Sequence, residues 1–411
     1  MIDLFSEEVR NNPYPAYKQI RDAGPAVFDR KKRVWFIGRY QDVLNVLRDS
    51  EAFSNKGVGF ESTLGGQDGL LHARVRKMIQ TAFSPSHINS LRSAINTEAE
   101  RTVKCFSDRN EVEFISEIAG AVPAAVLSWM LGGVDEKIPE FKRWSDAILS
   151  SRSRREKKKG SVKRFINRIL RSGSATEEEK SQMADMAECE AFLREHFMAV
   201  ANGTSGGWIT DLLCEKHGAN QISTEEMIDL GLVFVAAATE TTISFIGAAV
   251  NILAKDGTLQ DQLRSNPDLI EPFLEEVLRY DSPTQRRPRR AVKKVQIGHV
   301  MLPKGARVVL LVGSANRDPE KFLRPDEFRM DRNPNPHLSF GAGPHFCPGA
   351  QLGKMEARAL VTSMLTLLPP FRLARPEEKV EQIPKFVVRG PRKLDITFRR
   401  PSEFRDENSE S

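Results

Sequence analysis

Phe340-Gly341-Ala342-Gly343-Pro344-His345-Phe346-Cys347-Pro348-Gly349 runs straight into AQLGKMEARALVTSMLTLL, which ends at Leu368. Three glycines and two prolines surround one cysteine, so the backbone can fold closely round the sulfur. Pro348 suits the first turn of the helix that the following apolar spacing predicts. A thiol ahead of a helix N-terminus, two residues from His345, is drawn toward thiolate. Such a thiolate serves as a nucleophile or as a metal ligand, and the rest of the chain has to distinguish these.

Upstream, the most informative helix begins at Ser223. Ser223 and Glu226 form an S-x-x-E capping box, Glu225 adds charge at the positive end of the dipole, and the pattern continues to Gly257. At ~1.5 Å per residue this predicts a rod on the order of 50 Å. Glu240 is the one charge between Asp229 and Lys255. The run is long enough to cross a membrane, but a carboxylate flanked by Thr239, Thr241 and Thr242 at its centre is costly in lipid. The helix therefore reads as the buried central rod of a protein, with Glu240 a functional suspect.

Between these two stretches, NPDLIEPFLEEVLRY reads as a helix with Asn266 as N-cap, and Glu276 and Arg279 share a face of it. VQIGHVMLPKGARVVLLVGSANR then has period-two character with glycine turns. Near the start, NPYPAYKQIRDAG reads as a helix, AVFDRKKRVWFIG as two strands around a polar turn, and YQDVLNVLRD as a helix. Apolar spacing predicts packed helices from Ser86 to Gly132, and the polar stretch from Lys157 to Val200 is helix-like. The order is helices, small sheet, coil, helix, with no strand–helix alternation to support a doubly wound sheet.

The chain has 411 residues, 40% hydrophobic and 28% charged, an ordinary globular composition. At about 150 residues per domain the length alone allows roughly two or three domains. Lys and Arg number 61 against 55 Asp and Glu, a net charge of +6. From Ser151 to Arg171, however, ten Lys and Arg face Glu156 alone, so the rest of the chain is slightly acidic. With Phe165 its one aromatic, that run gives no nucleic-acid surface. It reads as a solvated charge run, or as an attractor for an anionic substrate or an acidic carrier protein. Cys105, Cys189, Cys214 and Cys347 lie far apart without a C-x-x-C pair, which suggests neither a disulfide framework nor structural zinc. All but Cys347 read as small buried hydrophobes. Asp3, Glu7 and Glu8 stand where a signal peptide needs a basic start, so a reducing cytoplasm is the expected compartment.

The loop FGAGPHFCPG matches the haem-binding loop of the cytochrome P450 family, F-G-x-G-x-H-x-C-x-G, at every fixed position. Glu276-Val277-Leu278-Arg279 resembles the family's E-x-x-R, and AATETT, Ala237 to Thr242, its central-helix A-G-x-E-T-T. HARVR, His72 to Arg76, resembles H-x-x-x-R at a helix beside the haem. YDSPTQRRPRRA resembles the stretch that supplies a propionate arginine, here Arg289. NPYPAY and ANRDPEKF are similar to segments of soluble bacterial members, and the resemblance runs from about residue 10 to 395.

The resemblance implies a mainly α fold with a small β region and one haem-centred domain over residues 1–400; a polar tail, expected from its composition to be disordered, spans 401–411. It implies haem b, iron protoporphyrin IX, with Cys347 as its axial thiolate and metal ligand. His72, Arg76, Arg289 and His345 would hold the propionates through charge-assisted bonds. Thr241 would hydrogen-bond oxygen species above the iron while Glu240 relays protons. Glu276, Arg279 and Arg332 would form an ion-pair cluster behind the loop. Ala238 departs from the family's frequent glycine. Pocket segments would be Gly57 to Leu70, Phe234 to Thr241, Thr284 to Pro288 and the turn near Phe386.

The implied function is monooxygenation: one atom of O2 enters a small organic substrate, for which the basic run suggests an anionic or carrier-tethered form, and the other becomes water. No flavin or nicotinamide domain fits in the residues covered, so ferredoxin and ferredoxin reductase are the expected electron donors. No nucleic acid and no membrane span are expected. A peroxide-driven or nitric-oxide-reducing haem-thiolate enzyme and a non-catalytic haem sensor are the alternatives, against which the Glu240–Thr241 pair speaks.

Overall fold

A computed structural model describes residues 3–56, 66–155, 176–215 and 222–398. The tail beyond 400, most of the basic run and most of the stretch from Gly57 to Leu70 lie outside the described residues. The chain forms two compact units, one of residues 1–53, 85–123 and 241–411, the other of residues 54–84 and 124–240.

The first unit is organised by a small sheet. Helices α1 (Glu7–Asn11) and α2 (Tyr14–Ala23) lead into strands β1 (Val27–Asp29) and β2 (Val34–Ile37), then α3 (Tyr40–Arg48) and β3 (Phe53–Ser54). The sheet order is β1-β2-β8-β5-β3, with β5 spanning Arg286–Ala291 and β8 Arg307–Leu311. Alternation divides β8 between two cores. Val309 and Leu311 meet Val34, Phe36 and the α2 residues Ala16, Tyr17 and Ile20. Val308 and Leu310 join Ile37 and the α3 residues Tyr40, Val43, Val46 and Leu47. The polar turn expected between β1 and β2 is present, and the two strands pair antiparallel.

Helices α5 (Pro85–Ser90) and α6 (Arg92–Lys104) follow, and α6 packs on the helix after the cysteine loop. Between them and the next helix the sequence reading missed β4 (Glu111–Glu113), which pairs with the last strand and so has no local signature.

In the second unit, α4 (Gly69–Ala82), α7 (Ala121–Leu131, from its fourth residue), α8 (Ile138–Arg155), α9 (Glu177–Ala201) and α10 (Trp208–Glu215) pack with the first half of α11 (Thr224–Leu253). Trp144, Phe141 and Phe197 are among its fully buried side chains. Arg143 reaches from α8 to Asp185 and Glu188 on α9.

The capping box of α11 is formed. Ser223 Oγ accepts from the Glu226 amide at 3.2 Å, and Glu226 Oε2 accepts from the Ser223 amide at 2.8 Å. The helix is long and apolar enough to cross a membrane, yet 67% of its most apolar window is buried. It stops at Leu253, short of the expected Gly257, because Asp256 caps a new helix, α12 (Gly257–Ser265), by accepting from the Leu259 amide.

Returning to the first unit, Asn266 caps a 3₁₀ turn that opens into α13 (Ile270–Tyr280). A hairpin of β6 (Val295–Ile297) and β7 (Val300–Leu302) precedes β8. The VGSA segment, read with the strands, is the short helix α14 (Val312–Ala315). Last come α15 (Ala350–Leu367), β9 (Phe371–Leu373) and β10 (Asp395–Phe398), the two strands making a second sheet with β4. Of the three cysteines read as buried hydrophobes, Cys189 is buried and Cys214 half-buried, but Cys105 is exposed.

Candidate haem site

Local backbone geometry builds the cysteine loop. Gly341 and Gly343 adopt φ of 75° and 68°, a region closed to most side chains. A Cβ on Gly343 would lie 2.8 Å from the Leu47 carbonyl oxygen, so only glycine lets the loop settle on the end of α3. The Cys347 amide donates to Phe340 O at 2.9 Å, closing the loop on itself. The reading that put Pro348 inside the next helix is off by two residues: Gly349 is the N-cap and α15 starts at Ala350. Cys347 thus stands about one turn ahead of the helix, half-buried, beside the exposed Phe346.

Behind the loop, Glu276 and Arg279 have no solvent exposure and meet in a two-pronged pair, Arg279 Nε to Oε2 at 2.8 Å and Nη2 to Oε1 at 2.7 Å. Arg332, the expected third member, donates from Nε to Glu276 Oε1 at 3.0 Å. Arg279 also donates to the carbonyls of Asn316, Pro325 and Glu327. This knot ties α13 to the coil that precedes the loop.

A second tie was not foreseen. His337 pairs through Nε2 with Glu275 Oε2 at 3.1 Å, and Lys354 of α15 reaches Glu275 Oε1 at 2.8 Å. Burial would raise the Glu275 carboxyl, but the hydrogen bonds from His337 and Lys354 outweigh it and hold the group down at about 2. Glu275 adjoins Glu276 in the sequence, and only that adjacency could have hinted at it.

Two arginines of β5 share the strand face that alternation assigns to residues 287 and 289. Arg289 is buried and Arg287 half-buried. Burial lowers the Arg287 pKa, and the Cys347 sulfur is the charge that opposes this shift. His345 lies half-buried in the loop's 3₁₀ turn.

In the second unit, His72 and Arg76 stand one turn apart on α4, His72 buried and Arg76 half-buried. Burial, then the Arg76 charge, lowers the His72 pKa, with Asp68 acting against them. The imidazole is thereby biased toward its neutral, hydrogen-bonding form.

On α11, Glu240 is buried at 9% exposure, and Thr239 donates to the Val235 carbonyl at 3.1 Å, bonding back along its own helix. Ala237 is exposed, and Ala238 and Thr241 are half-buried. These positions form a stripe midway along the helix that is not buried.

The donor set suits a haem. Among the described residues no group of three or more His, Cys, Asp or Glu could hold a metal ion. An ion at Cys347 would take its remaining ligands from elsewhere, as porphyrin nitrogens provide. Cations at Arg287 and Arg289 match carboxylate side arms.

Comparison with known proteins agrees. The family model described as cytochrome P450 matches residues 10–398. Cytochrome P450 109 of Bacillus spizizenii is 31% identical over 97% of this chain and 95% of its own length. Nocardicin C N-oxygenase of Nocardia uniformis is 28% identical over 96% and 98%. Among solved structures, P450BioI in complex with an acyl carrier protein ligated to hexadec-9Z-enoic acid aligns with a TM-score of 0.83 at 25% identity, covering 96% of this chain and 99% of that one. P450 family members bind iron protoporphyrin IX. With its thiol loop, buried E-x-x-R knot and mainly helical architecture, the chain belongs to the cytochrome P450 family of haem-thiolate monooxygenases.

Proposed function

We propose that this enzyme inserts one atom of O2 into a small organic substrate, drawing electrons from a ferredoxin and its reductase in the cytoplasm. The observation that carries the reading is the Cys347 loop, which holds a single thiol in a glycine-shaped turn, with the half-buried Arg287 the cation that feels its charge. When bound, haem supplies the iron at which dioxygen is reduced and split.

The chain's own residues then have distinct tasks. Cys347 would ligate the iron as thiolate. Arg289, His345, His72 and Arg76 would hold the propionates by charge-assisted hydrogen bonds. Thr241 would present its hydroxyl on the open stripe of α11, and Glu240 would hold and pass on the proton. Successive side chains leave a helix about 100° apart. Glu240 is buried while Thr241 borders the stripe, so a bridging water or a rotamer change would have to link them. Proton delivery of this kind supports dioxygen chemistry over a peroxide-driven enzyme or a haem sensor.

The experiment is twofold. A reduced carbon-monoxide spectrum of thiolate type should appear in the wild type and vanish in Cys347→Ser. Substrate turnover should be supported by a ferredoxin pair and should fall in Thr241→Ala with uncoupled consumption of reductant. Turnover with hydrogen peroxide alone, indifferent to Thr241→Ala, would refute the dioxygen reading.

A second reading of the substrate has a specific support. P450BioI was solved with an acyl chain delivered on a carrier protein. A carrier-tethered substrate would likewise give the basic run from Ser151 to Arg171 a partner, through charge attraction. Reversing four of its cations should then weaken binding of the acylated carrier and flatten its salt dependence.

A further inference from the structure

Between β9 and β10 the turn from Gln382 to Arg389 is irregular backbone, closed at its neck by the Ile383 amide donating to Gly390 O at 2.9 Å. On one side it meets the chain just ahead of β5. The Gln285 amide donates to Val387 O at 2.8 Å, the Arg389 amide donates to Pro283 O at 2.9 Å, and Thr284 pairs antiparallel with Val388. The turn is also gripped by the segment around α1, which lies in the same compact unit. At one foot, Asn11 Oδ1 accepts from the Gln382 amide at 3.3 Å. At the other, Arg389 Nη1 donates to the carbonyls of Arg10 and Asn11, both at 2.9 Å, and so caps the open end of α1. Arg389 Nε donates to Asp281 Oδ1 at 2.8 Å, and the Tyr14 hydroxyl donates to the same oxygen at 2.8 Å.

The tip is held by side chains. Phe386 stacks on Phe5 with ring centroids 4.5 Å apart and planes 4° from parallel. Arg286 Nη1 donates to Phe386 O at 3.2 Å, and its guanidinium lies 4.4 Å from the Phe386 ring centroid. Phe5 is itself firmly placed: Asp3 Oδ1 accepts from its amide at 3.0 Å, Arg10 Nη1 donates to its carbonyl at 2.9 Å, and Lys32 Nζ lies 4.8 Å from its ring. Both rings pack against the core shared by α2, β2 and β8.

We propose that Phe5 is a positioning residue for the substrate pocket, holding Phe386 and with it the wall formed by this turn and Thr284–Pro288. The inference deepens the monooxygenase reading and rests on the assignment of those two segments to the pocket. Phe5 acts through Phe386, so it discriminates between ligands long enough to reach the wall and those too small to do so. An aromatic pair of this kind biases an equilibrium by about 2- to 10-fold.

The test uses haem-loaded enzyme and nitrogen ligands read by the shift of the haem absorption band. Imidazole is too small to reach the wall, whereas 4-phenylimidazole and 1-dodecylimidazole extend away from the iron. Phe5→Ala should change the Kd of at least one longer ligand by about 2- to 10-fold and leave that of imidazole unchanged. Hydrogen exchange in peptides covering residues 283–290 and 382–390 should quicken while that of α15 stays as in the wild type. Phe5→Tyr, which keeps the stacking face, should match the wild type in both readouts. Phe5→Leu, which fills the space without a face to stack, replaces Phe5→Ala if the latter loses haem. Unchanged exchange at the turn, unchanged Kd for both longer ligands, or an equal shift for all the ligands overturns the proposal. So does a Phe5→Tyr that behaves as Phe5→Ala, or loss of haem from Phe5→Leu as well, since Phe5 would then serve the fold alone. Failure of the haem reading is seen separately, as a wild type whose absorption does not respond to imidazole.

Discussion

Replacing Glu276 by Gln removes one charge and reshapes a buried knot without changing its volume. Five donors converge on this carboxylate: Arg279 Nε and Asn335 Nδ2 on Oε2, and Arg279 Nη2, Arg332 Nε and the Arg329 amide on Oε1. A glutamine keeps its single carbonyl oxygen where three donors meet. Its amino group then confronts Arg279 Nε–H and the Asn335 amide, donor against donor. Arg279 remains anchored by the carbonyls of Asn316, Pro325 and Glu327, so it stays buried and charged. Stranding one partner of a buried pair costs about 3–5 kcal/mol, a large part of the ~5–15 kcal/mol that typically separates folded from unfolded protein. The internal control is Glu271→Gln. Its pair with Arg358 has a similar length, 2.9 Å, but the two side chains are 56% and 41% exposed, and such a pair is worth about 0–1 kcal/mol. Urea unfolding followed by circular dichroism, with haem content measured in parallel, should show a large drop for Glu276→Gln and almost none for Glu271→Gln. The double variant Glu276→Gln/Arg279→Met should recover part of the loss, because it removes the stranded cation. Equal stabilities of Glu276→Gln and Glu271→Gln, within about 1 kcal/mol, would refute the reasoning.

Two further predictions follow from single positions. Gly343→Ala adds a Cβ 2.8 Å from Leu47 O at a φ of 68°; a cost of about 1–3 kcal/mol should fall on the cysteine loop and be read as faster haem loss to an apomyoglobin acceptor, and an unchanged rate would count against the loop geometry. Glu356 on α15 is raised by burial from an ordinary 4.5 to about 8. Its folded pKa lies above the unfolded one, so its contribution is fully present below about pH 4.5 and is lost as pH rises through about 8. Glu356→Gln keeps the neutral form throughout, so its stability relative to wild type should grow between pH 5 and pH 8, measured by urea unfolding; parallel pH profiles would contradict the shift.

Much of the site was legible because its signals are local. The capping box of α11 spans four residues, Glu276 and Arg279 are one turn apart, and the cysteine loop carries its turn glycines within ten residues. Errors arose where local rules compete. Pro348 is compatible with a first helical turn, but the closed loop delays α15 to Ala350. VGSA continues a strand pattern, yet Val312–Ala315 coils into a helix.

What the sequence determined by itself is the family, the thiol loop, the long central helix and the partnership of Glu276 with Arg279, all written within a few residues of one another. Tertiary structure alone decided the rest. It brought Arg332 and Asn335 to Glu276 across more than fifty residues and joined His337 and Lys354 through Glu275. It paired β4 at Glu111–Glu113 with β10 at Asp395–Phe398, far apart in the chain. It also gave the β5 arginines their partners: Arg286 finds Tyr17 and Phe386, while Arg287 donates to the Thr284 hydroxyl. Periodicity and capping are set by neighbours within one or two helical turns. The partners of a buried charge depend on the path of the whole chain, which no local pattern encodes.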